Sequence, residues 1–354
     1  MSQRRATLAL IAALALLVTA APGTSAAPKP KPPPEPAGAL VALGDSFSAG
    51  TGTFAGVNEC YQSVYAYPVL LAQRTGAPLD FRACEGATTA DVSSTQLSAP
   101  LPSNTARVTM TIGGNDVGFA DVLTECALPG WLSDCDGAIQ AGRTILTTEL
   151  GDRLDGLYGA IKTAAPASAT ISVAGYPHLF NEVSDCSLIT YFDRGEMAKL
   201  NDATDELDTL IAQRTTAAQI GYLDPRAAFD NHQVCDSSPY VNGYSSPVGE
   251  SYHPNRTGNV AYADLFSGGS GGGGGKGGGK PRAATTMSVD EQATYVARLG
   301  LDSSESLARA EAAGLDSREI RGLVGALRSG NETAQLAALK RLEVLDERAA
   351  SPRG

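Results

Sequence analysis

Residues 41–50 read Val-Ala-Leu-Gly-Asp-Ser-Phe-Ser-Ala-Gly. The apolar run that enters this stretch from Ala39 has the character of a buried strand, and it stops at Gly44-Asp45-Ser46, where small and polar residues take over. Gly44 lets the chain turn tightly, and the small residues after Ser46 leave its hydroxyl accessible. Ser46 is therefore a candidate nucleophile at the carboxyl end of a first strand, with a plain helix-capping serine as the structural alternative.

Working outward, strand-like runs occupy residues 39–45, 79–83, 107–113, 169–175 and 220–224. Helical patterns fall between them at 62–75, 138–164 and 195–217. Strands that are apolar on both faces and alternate with helices predict an α/β fold, a three-layer α/β/α arrangement around a central five-stranded parallel sheet. Such sheets hold their sites at the carboxyl ends of the strands. Those ends carry "SFSAG", "CEGATT", "GND" and "YPHLF" here, so polar and small residues gather on one edge.

A serine hydroxyl needs a base to take its proton, and the chain has three histidines. His178 and His232 read as hydrogen-bonding loop residues, whereas His253 in "GESYHPN" precedes a final helical segment. Glu250, three residues before it, is placed to reach the far imidazole nitrogen. Acyl transfer also requires donors aimed at a developing oxyanion. Asn115 in "TIGGND" offers a side-chain amide and Gly86 in "CEGATT" a backbone N–H, although either residue can equally well cap or form a turn.

Charge and composition narrow the function classes. Residues 38–266 carry 11 lysines and arginines against 26 acidic residues, a net −15, while residues 267–354 carry 12 against 11. An acidic domain argues against nucleic acid and against anionic lipid surfaces as partners. Arg4 and Arg5 precede an apolar run from Ala6 to Ala21 and a small-residue site ending at Ala26, so residues 1–26 read as a secretory signal peptide. That run is shorter than the roughly 20 residues a membrane span needs, and the mature protein is expected to carry no integral membrane segment. Residues 27–37 read as a proline-rich linker, 38–266 as the main domain, 267–287 as a glycine-rich linker and 288–349 as a small all-α domain of unknown role.

Within the glycine-rich stretch, Gly268-x-Ser270-x-Gly272 mimics a nucleophile elbow and Gly274 to Lys280 a phosphate loop, but neither has a flanking strand or helix. The tail carries potential capping boxes at Ser288/Glu291, Asp302/Glu305 and Asp316/Glu319, with apolar residues at helical spacing that predict three or four short helices. Cys60, Cys84, Cys126, Cys135, Cys186 and Cys235 suit an exported, disulfide-bonded domain. Sequence alone does not choose their connectivity; sequential pairing is preferred because each bridge then closes a local loop. The absence of a C-x-x-C pattern and the scarcity of histidine speak against a metal site, and no cofactor is expected.

"GDSFSAG", "CEGA", "GGND" and "SYHPN", in this order, resemble the GDSL family, also called SGNH hydrolases, over essentially residues 38–266. The cysteine number and spacing look most like secreted actinobacterial lipases and esterases of that group. The resemblance implies Ser46 as nucleophile, His253 as base, and an oxyanion hole from Gly86, Asn115 and the Ser46 N–H. It also implies three sequential disulfides. The family pattern has an aspartate where Glu250 stands; some relatives orient the histidine with a main-chain carbonyl instead. The expected function is a secreted hydrolase of carboxylic esters, a lipase or esterase. Carbohydrate O-acetylesterase and phospholipase are alternatives on the same machinery, and an inactive binding protein acting through its helical tail is a third. "GFADVL" with Trp131 and Leu132 reads as an acyl groove or as core, with core preferred; the tail's partner is left open.

Overall fold

The computed structural model describes residues 37–183, 186–268 and 287–350. The expected signal peptide, most of the proline-rich linker and nearly all of the glycine-rich linker lie outside the described residues. Five strands form one parallel sheet in the order β2-β1-β3-β4-β5, with β1 Ala39–Ala42, β2 Leu79–Phe81, β3 Thr105–Thr111, β4 Thr170–Ala174 and β5 Gly221–Leu223. Every residue of β1 is buried, as a central strand covered on both faces requires. Strand order reverses at β1, so the crevice between the carboxyl ends of β1 and β3 is the place where such sheets bind their ligands.

Helices flank the sheet in two packed sets. Tyr67–Thr75 packs on Arg256–Phe266. Gly151–Ala164 packs on Arg194–Ala218, which Cys135–Ile145 also contacts. The predicted helix over 138–164 is two α-helices joined by a wide π-type turn at Leu146–Leu150. Residues such as Leu43, Met110, Ile112 and Val173 are essentially inaccessible and fill the core between the layers. Disulfides join Cys60 to Cys84, Cys126 to Cys135 and Cys186 to Cys235. Among the described residues no helix is long and apolar enough to cross a membrane.

The C-terminal segment forms four helices, Val289–Arg298, Ser304–Ala312, Ser317–Leu327 and Glu332–Ala350. The last is not short: it runs for 19 residues because its apolar repeat continues without a breaker. Ser288 and Glu291 make the predicted capping box. The second box differs, since Arg328 engages Asp302 (Nη2 to Oδ1, 3.1 Å) and Ser303 caps the helix instead. Asp316 caps the third helix, but Glu319 turns to Arg341 at 2.7 Å rather than back to the cap. Trp131 and Leu132 are core, as preferred, yet the core they join is that of the tail.

The turn after β1 tolerates only glycine. Gly44 has φ of 113°, and its N–H and carbonyl both bond the Gln96 side-chain amide at 2.8 Å. A Cβ there would collide with the Thr111 carbonyl oxygen. Gly44→Ala is expected to destabilise the protein by about 1–3 kcal/mol, read from urea denaturation midpoints against the parent chain.

Candidate active site

Ser46 begins a one-turn helix, Ser46–Ala49, directly after the Gly44 turn. As the first helical residue it has a backbone N–H with no intrahelical acceptor. Asp45 caps this helix, and its buried carboxylate gathers three donors: Phe47 N–H at 3.0 Å, the Thr111 hydroxyl at 2.6 Å, and the Tyr176 hydroxyl. The Tyr176 oxygen in turn accepts the Gly114 N–H at 3.1 Å. The ends of β1, β3 and β4 are thus locked to one another around one acid. Burial raises the Asp45 pKa to about 6, against the lowering effect of its donors.

His253 Nε2 lies 2.8 Å from Ser46 Oγ, although the two residues are 207 positions apart. Its Nδ1 lies 2.7 Å from the Ser251 carbonyl oxygen. A carbonyl only accepts, so Nδ1 carries the proton and Nε2 is left to accept from the serine. Burial pushes the imidazole pKa down to about 4, the Ser251 hydrogen bond opposing it. The loop bearing His253 is sewn to the chain after Ser46: Asn242 Nδ2 donates to the Gly52 carbonyl at 2.8 Å and to the Glu250 carbonyl at 3.0 Å. Gly52 is needed for this approach, because a Cβ there would sit 2.7 Å from the His253 Cβ.

Glu250 does not hold the imidazole. Its buried carboxylate accepts the Gly52 N–H at 2.5 Å and the Phe54 N–H at 3.1 Å, while the Ser251 carbonyl takes the place at Nδ1. The expectation of a Glu250–His253 pair is corrected accordingly: two backbone donors with no other acceptor claim the carboxylate first. The other histidines are engaged elsewhere, His178 with Asp205 at 2.9 Å and His232 with the Ser238 carbonyl at 2.7 Å.

Asn115 follows β3 and donates one amide hydrogen to the Ala87 carbonyl at 3.0 Å, which leaves its second N–H available. Next to it, buried Asp116 accepts from the N–H and hydroxyl of Thr89 at 2.9 and 2.7 Å. These bonds tie the loop carrying Gly86 to the loop carrying Asn115. Ser46, Asn115 and His253 share the lining of a hollow of about 390 Å³ with Phe119, Leu123 and Tyr252. Gly86 itself is exposed and borders an adjacent hollow, next to Glu85, which lines the first. Among the described residues no cluster of three or more His, Cys, Asp or Glu side chains is arranged to hold a metal ion.

Sequence reasoning missed Tyr176, Thr111 and Gln96. Each lies at or just past a strand end, or on the helix beside one, which is the only signal that pointed to them.

Known proteins share both the sequence and the architecture. A profile of the GDSL-like lipase/acylhydrolase family matches residues 42–261. Lipase 1 of Streptomyces coelicolor is 38% identical over 248 residues, covering 69% of this chain and 90% of that protein. The crystal structure of phospholipase A1 from Streptomyces albidoflavus NA297 superimposes with a TM-score of 0.62 at 34% identity, over 66% of this chain and 99% of the other. The extracellular lipase of Streptomyces rimosus superimposes with a TM-score of 0.61 at 33% identity, over 66% of this chain and all (100%) of the other.

Glu250→Gln is expected to leave the His253 titration near pH 4, because the carboxylate does not touch the ring. It should lower stability by about 1 kcal/mol through the weakened bonds to Gly52 and Phe54. An NMR titration of the imidazole and a thermal melt read the two effects separately.

Proposed function

Because the chain belongs to the GDSL-like lipase/acylhydrolase family and is an ester hydrolase, we propose that it works through Ser46 as nucleophile and His253 as general base. The observation that carries this reading is the 2.8 Å contact between Ser46 Oγ and His253 Nε2. Neutral His253 takes the hydroxyl proton as Ser46 Oγ bonds to the ester carbonyl carbon. The carbonyl oxygen becomes an oxyanion, met by the Ser46 N–H, the free Asn115 amide hydrogen and the Gly86 N–H. The imidazolium then protonates the departing alcohol as the carbon–oxygen bond breaks, leaving an acyl-serine. Water repeats the sequence, its proton going to His253 and the acid leaving with Ser46 restored.

The Ser251 carbonyl orients the ring throughout and favours the imidazolium that forms transiently. No charged orienting residue is required, since the carbonyl fixes the tautomer and the oxyanion offsets the positive charge. The substrates are carboxylic esters of lipids, a reading supported by relatives named lipase and phospholipase A1. The latter likeness favours phospholipid acyl esters as a second substrate. Export is supported by the leader-like first 26 residues and by likeness to an extracellular lipase.

Ser46→Ala is expected to abolish p-nitrophenyl ester hydrolysis and fluorophosphonate labelling, and Asn115→Ala to slow turnover by on the order of 10²-fold. Ordinary rates in Ser46→Ala would refute the mechanism. Since the base must be neutral, His253 by itself lets kcat/KM hold as pH falls past 6.5 and fail towards about 4, and a partial loss already near 6 would report protonation of Asp45. A pH–rate profile measures this.

A further inference from the structure

The first of the four C-terminal helices reaches the hollow that holds Ser46 and His253. Trp131, Leu132, Ile189 and Tyr191 of the sheet domain share one buried apolar cluster with tail residues that include Val296 and Leu345. The Gly130 N–H donates to Asp346 Oδ1 at 2.7 Å, fastening the last helix to the same loop. At the margin of this interface the ring of Tyr295, from helix Val289–Arg298, meets that of Tyr244 with centroids 4.8 Å apart. Both rings line the hollow that contains Ser46, Asn115 and His253.

We propose that Tyr295 is a specificity-determining residue: the tail supplies the outer wall of the acyl-binding hollow, and its tyrosine ring selects esters with an extended acyl chain. This rests on the serine-hydrolase reading of Ser46. The hollow, about 390 Å³, is far larger than an acetyl group needs. Its lining is mostly apolar, with Phe119, Leu123, Ala127 and Val248 beside the two tyrosines, and Glu85 and Thr124 as polar members. Each methylene moved from water onto such a surface strengthens binding about fourfold. A chain of several methylenes can therefore gain from the Tyr295 ring, whereas a short acyl group held at Ser46 gains little. A tyrosine suits the task, because a broad rigid ring offers apolar area with little rotamer freedom to lose.

The experiment uses the full chain and compares kcat/KM for p-nitrophenyl octanoate with that for the butyrate in the parent, Tyr295→Ser and Tyr295→Phe. The octanoate-to-butyrate ratio is expected to fall about tenfold in Tyr295→Ser and to stay within about twofold of the parent in Tyr295→Phe. Trp131 is the chain's single tryptophan and lies in the shared cluster, so its emission reports whether the tail remains docked. An unchanged ratio in Tyr295→Ser overturns the proposal whether the emission stays or shifts to the red, since in either case the ring has left the hollow. An equal loss on both esters also overturns it. A parent protein that is not labelled by fluorophosphonate at Ser46 would instead refute the hydrolase mechanism, and this assignment with it.

Discussion

One buried carboxylate organises the edge of the sheet that bears Ser46. Asp45 accepts from its own helix, from Thr111 at the end of β3 and from Tyr176 just beyond β4, and the last of these holds Gly114 in turn. Burying an ionised acid is costly unless donors surround it, and here the donors come from three neighbouring strand ends. The acid and the register of those ends are therefore mutually dependent. Losing any one donor would leave the others facing a poorly compensated charge, so Ser46 and the Asn115 loop cannot drift independently. The position of Ser46 follows from the sheet's register rather than from its own contacts.

His253 is positioned by a second device, in which side chains bind backbone groups. Asn242 and Glu250 each bind the strand-end loop around Gly52, one through its amide and the other through its carboxylate. The Ser251 carbonyl is thereby presented to His253. A carboxylate at that nitrogen would favour the imidazolium more strongly. With a carbonyl, the buried ring keeps a low pKa and is a weaker base that remains neutral over a wider range of acidity.

The sheet was legible in the sequence because a strand buried on both faces writes an uninterrupted apolar run, as in Ala39–Ala42, while Thr105–Thr111 alternates Val108 and Met110 with β-branched threonines that suit a strand. Ser46, Asn115 and His253 stood out because reactive side chains are few and strand ends are easily placed. The partner of His253 Nδ1 did not, since every residue carries a carbonyl and only the fold decides which one faces the ring. Glu250 was attractive by spacing alone, and competition from two buried N–H groups, invisible in the sequence, decided its role. Helix Glu332–Ala350 and the burial of Trp131 show the same limit: local pattern reveals an apolar face, while the surface that covers it is a property of the folded chain. Tyr295 is the single aromatic residue among residues 267–354, but its place beside Ser46 and His253 depends on how the tail packs, which the sequence does not show.

The link between Cys60 and Cys84 joins the loop that follows Ser46 to the loop that follows β2, next to Glu85 and Gly86. It lies at the edge of the sheet that bears Ser46, whereas the Cys126–Cys135 bridge is buried within the apolar core. A bridge so placed restrains these two loops against each other, so reducing it would free the backbone around Glu85 and Gly86 more than the strands behind them.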